Sequence, residues 1–174
     1  MIAFHSFSVS AAIALLLSIL LLMCSAIISG SEVAFFSLTP QMKNEVEESN
    51  RKNAKNLMHL IGNPQQLLAT ILVGNNFVNV AIIMLLTYFT GSVFDFSTFP
   101  LLGFIFETVI ITFVLLLFGE IIPKVYASQY PEKMALLFTP FILVMQKVFS
   151  RVSKLLISST AFLTRQIEKY KKAE

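Results

Sequence analysis

Oxygen-bearing side chains interrupt the first two long apolar runs of this chain at spacings that could bind a cation. In the first run, two serines and an acid follow one another at intervals of four and three residues, which places them on one face of a helix. In the second run, the sequence VGNNFVN contains three asparagines, two of which stand one helical turn apart. The candidate ligands from these two runs are Ser25, Ser29, Glu32, Asn75, Asn76 and Asn79.

The third apolar run ends in FGEIIPKVYAS, which contains a glycine, an acid and a proline within five positions. Pro123 has no N–H, so it cannot bond to the carbonyl of Gly119, four residues earlier. Inside a membrane that carbonyl is tolerated only where it lines a cavity or has another partner. Gly119 allows close approach and Glu120 supplies a carboxylate, so these residues and the helix break at Pro123 predict a cation site.

All of these candidate groups offer oxygen atoms, and none of them is a cysteine or a histidine. Oxygen ligands suit hard cations such as Mg²⁺, Ca²⁺ or Na⁺ better than zinc or copper. Because polar residues are costly inside a membrane, their occurrence in all three runs favours a functional site.

Structural roles are the alternative for each of these residues. Serines in membrane helices bond back to their own backbone, and asparagines link neighbouring helices. Glu32 and Glu120 could stand hydrated at the membrane interface, with Lys124 as the partner of Glu120. Glu107, nearer the outer end of the third run, is expected at the opposite interface.

The composition indicates an all-α integral membrane protein. Of the 174 residues, 56% are hydrophobic and 13% are charged, which is too little charge to cover a soluble domain. The net charge of +3 is ordinary for a membrane protein, and no basic stripe with interleaved aromatic residues indicates nucleic acid. No familiar pair of intramembrane catalytic side chains is present, so we do not expect an enzyme.

Three membrane spans are predicted, at about residues 8–38, 66–89 and 101–122. A cytoplasmic helical linker is expected over 41–63, and Asn63-Pro64 is typical of a helix start. The fourth apolar block, 134–146, is short for a span and leads into three basic residues on one helical face. We therefore expect interfacial and cytoplasmic helices over 131–174.

The distribution of basic residues orients the spans. The linker carries four Lys or Arg residues, whereas the loop over 90–100 has none, so the linker is predicted to be cytoplasmic and the loop external. With three spans, the N-terminus is outside and the C-terminus is cytoplasmic, in the plasma membrane, which is the inner membrane of a bacterium. A fourth span would place Lys169, Lys171 and Lys172 outside, against this rule.

The motifs SGSE (29–32), VGNNFVN (73–79) and GEIIPK (119–124), in this order, resemble the transmembrane domain of the CorC/CNNM family, the cyclin-M-like magnesium transporters. The resemblance covers nearly the whole chain. It implies three transmembrane helices with cytoplasmic juxtamembrane helices, a homodimer in the lipid bilayer, and Mg²⁺ bound among the spans. It further implies export of Mg²⁺, with Na⁺ as the proposed coupling ion.

Carried over residue by residue, the resemblance implies a specific set of ligands. These are Ser25, Ser29, an asparagine of the group Asn75, Asn76 and Asn79, and the Gly119 carbonyl with Glu120; Glu32 is an additional candidate. The family usually continues into cytosolic CBS modules that bind nucleotide, and this chain stops at Glu174, so we expect a fragment of a longer protein.

Two functions remain open from the sequence. The first is a secondary transporter that exports Mg²⁺, with Co²⁺ as a further candidate substrate. The alternative is a Mg²⁺-sensing membrane anchor that regulates another transporter. The same ion site would serve both, so flux is the property that separates them.

Overall fold

The computed structural model describes the backbone of residues 3–4, 8–49, 51–95 and 99–171, and the side chains of 8–49, 51–94 and 99–159. The described backbone is almost entirely helical, apart from an antiparallel pairing of two residues each, β1 (Ala3–Phe4) with β2 (Phe94–Asp95). The helical elements are α1 (Val9–Phe36), α2 (Pro40–Glu48), α3 (Ala54–Ile61), α4 (Pro64–Val93), α5 (Pro100–Val114), a π-helical segment (Leu115–Ile121), α6 (Ile122–Gln129) and α7 (Pro131–Lys171).

Four stretches among the described residues are long and apolar enough to cross a membrane: Val9–Phe36, Pro64–Val93, Pro100–Gln129 and Pro131–Ser159. Large apolar side chains such as Leu16, Phe77 and Phe104 are exposed along them. Surfaces of this kind suit lipid rather than water. The prediction of an all-α membrane domain is confirmed.

The fourth apolar block, residues 134–146, is part of a helix that is much longer than the block itself. It lies within α7, which has 41 residues and contains Pro140. The length of Pro131–Ser159 is sufficient for a crossing, so length does not distinguish an interfacial helix from a span. The count of three spans and the orientation of the termini stay predictions based on the distribution of positive charge.

The helix start predicted at Asn63-Pro64 is confirmed by its local hydrogen bonds. Asn63 Oδ1 accepts from the amide of Gln66 at 3.3 Å, and Pro64 is the first residue of α4. Proline is favoured at this position because the first amide of a helix has no intrahelical partner.

The chain forms two compact units, of which the first contains residues 1–30 and 75–129 and the second contains 31–74 and 130–174. Buried residues of the first unit include Ile28, Ile82 and Ile111. In the second unit, α3 packs against α7, and Leu57, Leu60, Ala135 and Ile142 are buried. Each unit therefore has its own apolar core.

A proline in α7 leaves a carbonyl to which a side chain at the start of α3 bonds. Pro140 has no N–H to bond to the carbonyl of Leu136. Asn53 Nδ2 donates to that carbonyl at 3.4 Å, from a residue in the left-handed region with φ 74°. Asparagine tolerates this conformation better than most residues, so Asn53 both turns the chain into α3 and bonds to α7.

Candidate metal site

The candidate ligands of the first unit come from three helical elements. Helix α1 carries Ser25 and Ser29, helix α4 carries Asn75 and Asn79, and the π-helical segment carries Gly119 and Glu120. Both serines are buried, with exposed fractions of 0% and 1%. The asparagines and Glu120 are partly buried.

Ser25 is the residue on which the asparagines of α4 converge. Its Oγ donates to Asn79 Oδ1 at 2.8 Å and lies 3.4 Å from Asn75 Oδ1. One hydroxyl proton is thus shared between two carbonyl oxygens that point at the same atom. A group of three oxygens with a single proton is chemically suited to accept a cation.

Asn79 connects this group to the carboxylate. Its Nδ2 donates to Glu120 Oε1 at 3.1 Å, while its Oδ1 accepts from Ser25. The amide therefore orients both ends of the cluster, and it links Glu120 to the buried serine through two successive hydrogen bonds. The sequence predicted these residues individually, and the structure brings them together.

Gly119 lies so close to α1 that a larger residue would not fit without displacing its neighbours. A Cβ atom at this position would lie 3.1 Å from Ser25 Oγ and 3.4 Å from Leu22 Cδ1. The first distance is shorter than ordinary van der Waals contact, so a larger residue would displace the serine. The absence of a side chain lets the π-helical segment approach Ser25 closely.

A π-helical segment precedes Pro123, where the sequence predicted a helix break. The helix does not break at Pro123, which lies inside α6; it widens over Leu115–Ile121 instead. The amide of Ile122 donates to the carbonyl of Leu117, five residues back, and Pro123 has no amide hydrogen. The carbonyls of Phe118 and Gly119 thus lose their regular helical donors, and π-helical turns of this kind often occur at functional sites.

Ser29 has an unusual environment for a buried hydroxyl. Among the buried side-chain oxygens and nitrogens of the described residues, Ser29 Oγ alone has no hydrogen-bond partner. Leaving a buried polar group without a partner costs about 1–3 kcal/mol. Ser29 is one helical turn from Ser25 on α1, so a cation near Ser25 is the partner that its position favours.

Two further predicted candidates, Asn76 and Glu32, lie on the same two helices, α4 and α1. Asn76 is exposed on α4, and Glu32 belongs to the second unit, where it is partly buried. Within the described ranges, no three His, Cys, Asp or Glu residues gather at one place. The cluster is therefore made of neutral oxygens and the single carboxylate of Glu120, which suits a hard cation rather than zinc.

These features define a helical membrane domain with a polar cluster buried between its helices. Residues 16–174 match the family described as the cyclin M transmembrane N-terminal domain. The chain belongs to this family, and the resemblance proposed from its three motifs is confirmed.

Curated relatives support this assignment. The chain is 32% identical over 111 residues to the UPF0053 inner membrane protein YfjD of Escherichia coli, covering 64% of this chain and 25% of that protein. It is 32% identical over 136 residues to a UPF0053 protein of Haemophilus influenzae, covering 76% and 31%. It is 31% identical over 142 residues to the metal transporter cnnm-4 of Caenorhabditis elegans, covering 77% and 29%. The chain thus matches between a quarter and a third of the length of these relatives.

Proposed function

We propose that this domain is the membrane part of a secondary transporter that exports Mg²⁺. The observation that carries the proposal is the convergence of the Asn75 and Asn79 oxygens on buried Ser25, with Glu120 hydrogen-bonded to Asn79. The name of the Caenorhabditis elegans relative, a metal transporter, supports the same class of function.

The bound ion would replace the hydrogen bonds within the cluster. A cation beside Ser25 would take the oxygens of Ser25 and Asn79 as ligands, and Ser29 Oγ would gain the partner that it lacks. The carbonyl of Gly119 and the carboxylate of Glu120 complete the proposed set. Because Mg²⁺ dehydrates reluctantly and prefers six oxygens in octahedral geometry, some of its ligands would be waters.

The composition of the cluster supports transport rather than permanent retention. A single carboxylate with neutral oxygens would compensate a divalent ion only in part, which favours its release. Co²⁺ is a second candidate substrate, and Na⁺ is the candidate coupling ion. The family resemblance supports a homodimer and a cytosolic CBS region in the full-length protein, and the distribution of positive charge supports an external N-terminus.

Mg²⁺ efflux from vesicles that contain the full-length protein tests this proposal. We expect Glu120→Gln to lower the rate of efflux about tenfold or more, since loss of a metal-site carboxylate removes both charge and a ligand. Glu132→Gln is the matched control, because Glu132 is a carboxylate of the second unit that pairs with Arg51 and is not among the proposed ligands. Wild-type efflux in Glu120→Gln would contradict the assignment of Glu120.

The same vesicles distinguish a transporter from a Mg²⁺-sensing membrane anchor. A transporter moves the ion in the absence of any other protein, whereas a sensor binds it without flux. Calorimetric binding of Mg²⁺ that depends on Glu120, together with vesicles that show no flux, would favour the sensor.

A further inference from the structure

The C-terminal half of α7 carries two exposed stripes of different chemistry. The basic stripe consists of Lys147, Arg151 and Lys154, which lie within an arc of about 60° at 3.6 residues per turn. The side of the helix away from both stripes is packed, since Ser153 is fully buried. The apolar stripe occupies the adjoining arc of about 80° and consists of the exposed side chains of Val144, Val148, Val152 and Leu155. Together the two stripes form what we call the amphipathic surface of α7.

The cations of the basic stripe lack a protein counter-charge among the residues whose side chains the structure describes. None of Lys147, Arg151 and Lys154 forms an ion pair or a hydrogen bond with another of these side chains. The sequence over 133–167 also contains no Asp or Glu. A group of basic side chains on one face of a helix favours an anionic partner.

A contact within the second unit places the amphipathic surface at a defined level along α4. Thr70 Oγ1 and Ser153 Oγ lie 3.4 Å apart, and both residues are fully buried. Thr70 is the seventh residue of α4, so it lies about 9 Å from the start of that helix at 1.5 Å per residue. Lys147, Arg151 and Lys154 are all within six residues, or about 9 Å along α7, of Ser153.

This level corresponds to the boundary between lipid head groups and hydrocarbon. Helix α4 has 30 residues and is about 45 Å long, which matches the thickness of a bilayer including its head groups. The hydrocarbon core takes up about 30 Å, so each head-group region covers roughly 7 Å at one end of α4. Ser153 packs about 9 Å from such an end. Interfacial helices bury their apolar side chains at this boundary and direct their basic side chains to the phosphates.

A phospholipid with an anionic head group is the partner whose chemistry matches both stripes. Hydrocarbon alone would leave three cations in an apolar medium, which is costly. Water alone would leave the apolar stripe exposed. A second copy of the chain in a symmetric contact would bring the same cations to the surface. An anionic phospholipid offers phosphate to the basic stripe and acyl chains to the apolar stripe.

We propose that the amphipathic surface of α7 binds anionic phospholipids of one leaflet and anchors the second unit to that leaflet. The head-group phosphates lie against the basic stripe, and the acyl chains cover the apolar stripe. The basic linker that precedes α4 assigns this surface to the cytoplasmic leaflet, which carries a negative surface potential. The proposal concerns a lipid and not the transported ion, so it does not depend on the metal site.

Titration of the detergent-solubilised full chain with phosphatidylglycerol tests the proposal, with phosphatidylcholine of the same acyl chains as the neutral comparison. Native mass spectrometry measures how much of each lipid is bound to the intact protein. We expect the wild type to bind phosphatidylglycerol about tenfold or more tightly than phosphatidylcholine, and added salt should reduce this preference. The double variant Lys147→Gln, Lys154→Gln should bind phosphatidylglycerol about 25-fold more weakly, since each basic residue contributes about fivefold near an anionic lipid surface.

The double variant Lys52→Gln, Lys55→Gln is the matched control. Both lysines are exposed in the linker of the second unit, and their substitution removes the same amount of charge. The control should keep the wild-type affinity for phosphatidylglycerol. An equal loss of affinity in the control would show that binding follows net charge, and it would overturn the assignment to α7.

Two further results would overturn the proposal. Equal affinity of the wild type for the two lipids would exclude recognition of the anionic head group, and this comparison decides the question even if a variant does not fold. A change of oligomeric state in Lys147→Gln, Lys154→Gln, measured by light scattering, would assign the surface to a contact between copies of the chain.

Discussion

Ser25 Oγ on α1 donates a hydrogen bond to Asn79 Oδ1 on α4 across 2.8 Å, although the two residues are 54 positions apart in the chain. This contact is part of the packing between two helices and also the centre of the proposed ion site. Its two roles mean that a variant of Ser25 changes stability and binding together. Substitutions at residues near Ser25, such as Ser29, separate the effect on stability from the effect on ion binding.

Ser29→Ala should separate binding from stability. Since Ser29 Oγ is buried without a partner, its removal should leave the metal-free protein as stable as the wild type or more stable by about 1 kcal/mol. At a free Mg²⁺ concentration of 100 times the Kd, binding stabilises the folded protein by about 2.7 kcal/mol. Ser29→Ala should lose much of this stabilisation. Thermal unfolding with and without Mg²⁺ measures both quantities.

Ser18→Ala is the matched control for that experiment. Ser18 is also buried on α1, but its Oγ donates to the carbonyl of Ala14 at 2.8 Å. We expect Ser18→Ala to keep the full stabilisation by Mg²⁺. Equal stabilisation of Ser29→Ala and wild type would exclude Ser29 as a ligand.

Gly119→Ala should weaken Mg²⁺ binding by about tenfold or more, because the new Cβ would lie 3.1 Å from Ser25 Oγ and displace it. Gly91→Ala is the control, since a Cβ there meets nothing within 4 Å. The control should retain wild-type affinity in a calorimetric titration. A wild-type affinity in Gly119→Ala would show that the close approach of the π-helical segment is irrelevant to binding.

Pro123→Ala should restore an amide hydrogen that can bond to the carbonyl of Gly119. We expect a more stable helix and a lower affinity for Mg²⁺, because a proposed ligand would then have an intrahelical partner. Thermal unfolding and calorimetric titration of the same preparation test the two effects. Unchanged affinity together with higher stability would remove the Gly119 carbonyl from the ligand set.

Asn53→Ala should destabilise the second unit by about 1–2 kcal/mol, since alanine is disfavoured at φ 74° and lacks the bond to Leu136. Asn53→Gly keeps the left-handed conformation and loses only the hydrogen bond, so its loss of stability should be smaller. Thermal unfolding measures the difference. Equal effects of the two substitutions would contradict the role of the backbone conformation.

The sequence alone predicts those structural elements that depend only on neighbouring residues. The Asn63-Pro64 pair predicts the start of α4, and the apolar runs predict the membrane helices. The polar residues of the site could be predicted because hydrophilic groups are rare in apolar runs and helical spacing assigns them to a face. These inferences need only neighbouring residues and the helical period.

The remaining features depend on contacts between distant residues. The π-helical segment before Pro123 arises where a glycine approaches α1, which no periodicity indicates. The isolation of Ser29 Oγ and the bond from Asn53 to Leu136 are likewise results of packing.

The most direct test of the central claim is a crystal structure of the protein with Mg²⁺, and with Mn²⁺ in its place for anomalous scattering. The account predicts one ion site beside Ser25, with the oxygens of Asn79 and Glu120 among its ligands and Mg²⁺–oxygen distances of about 2.0–2.1 Å. An anomalous peak elsewhere in the protein, or an active protein whose crystals show no ion at Ser25, would contradict it.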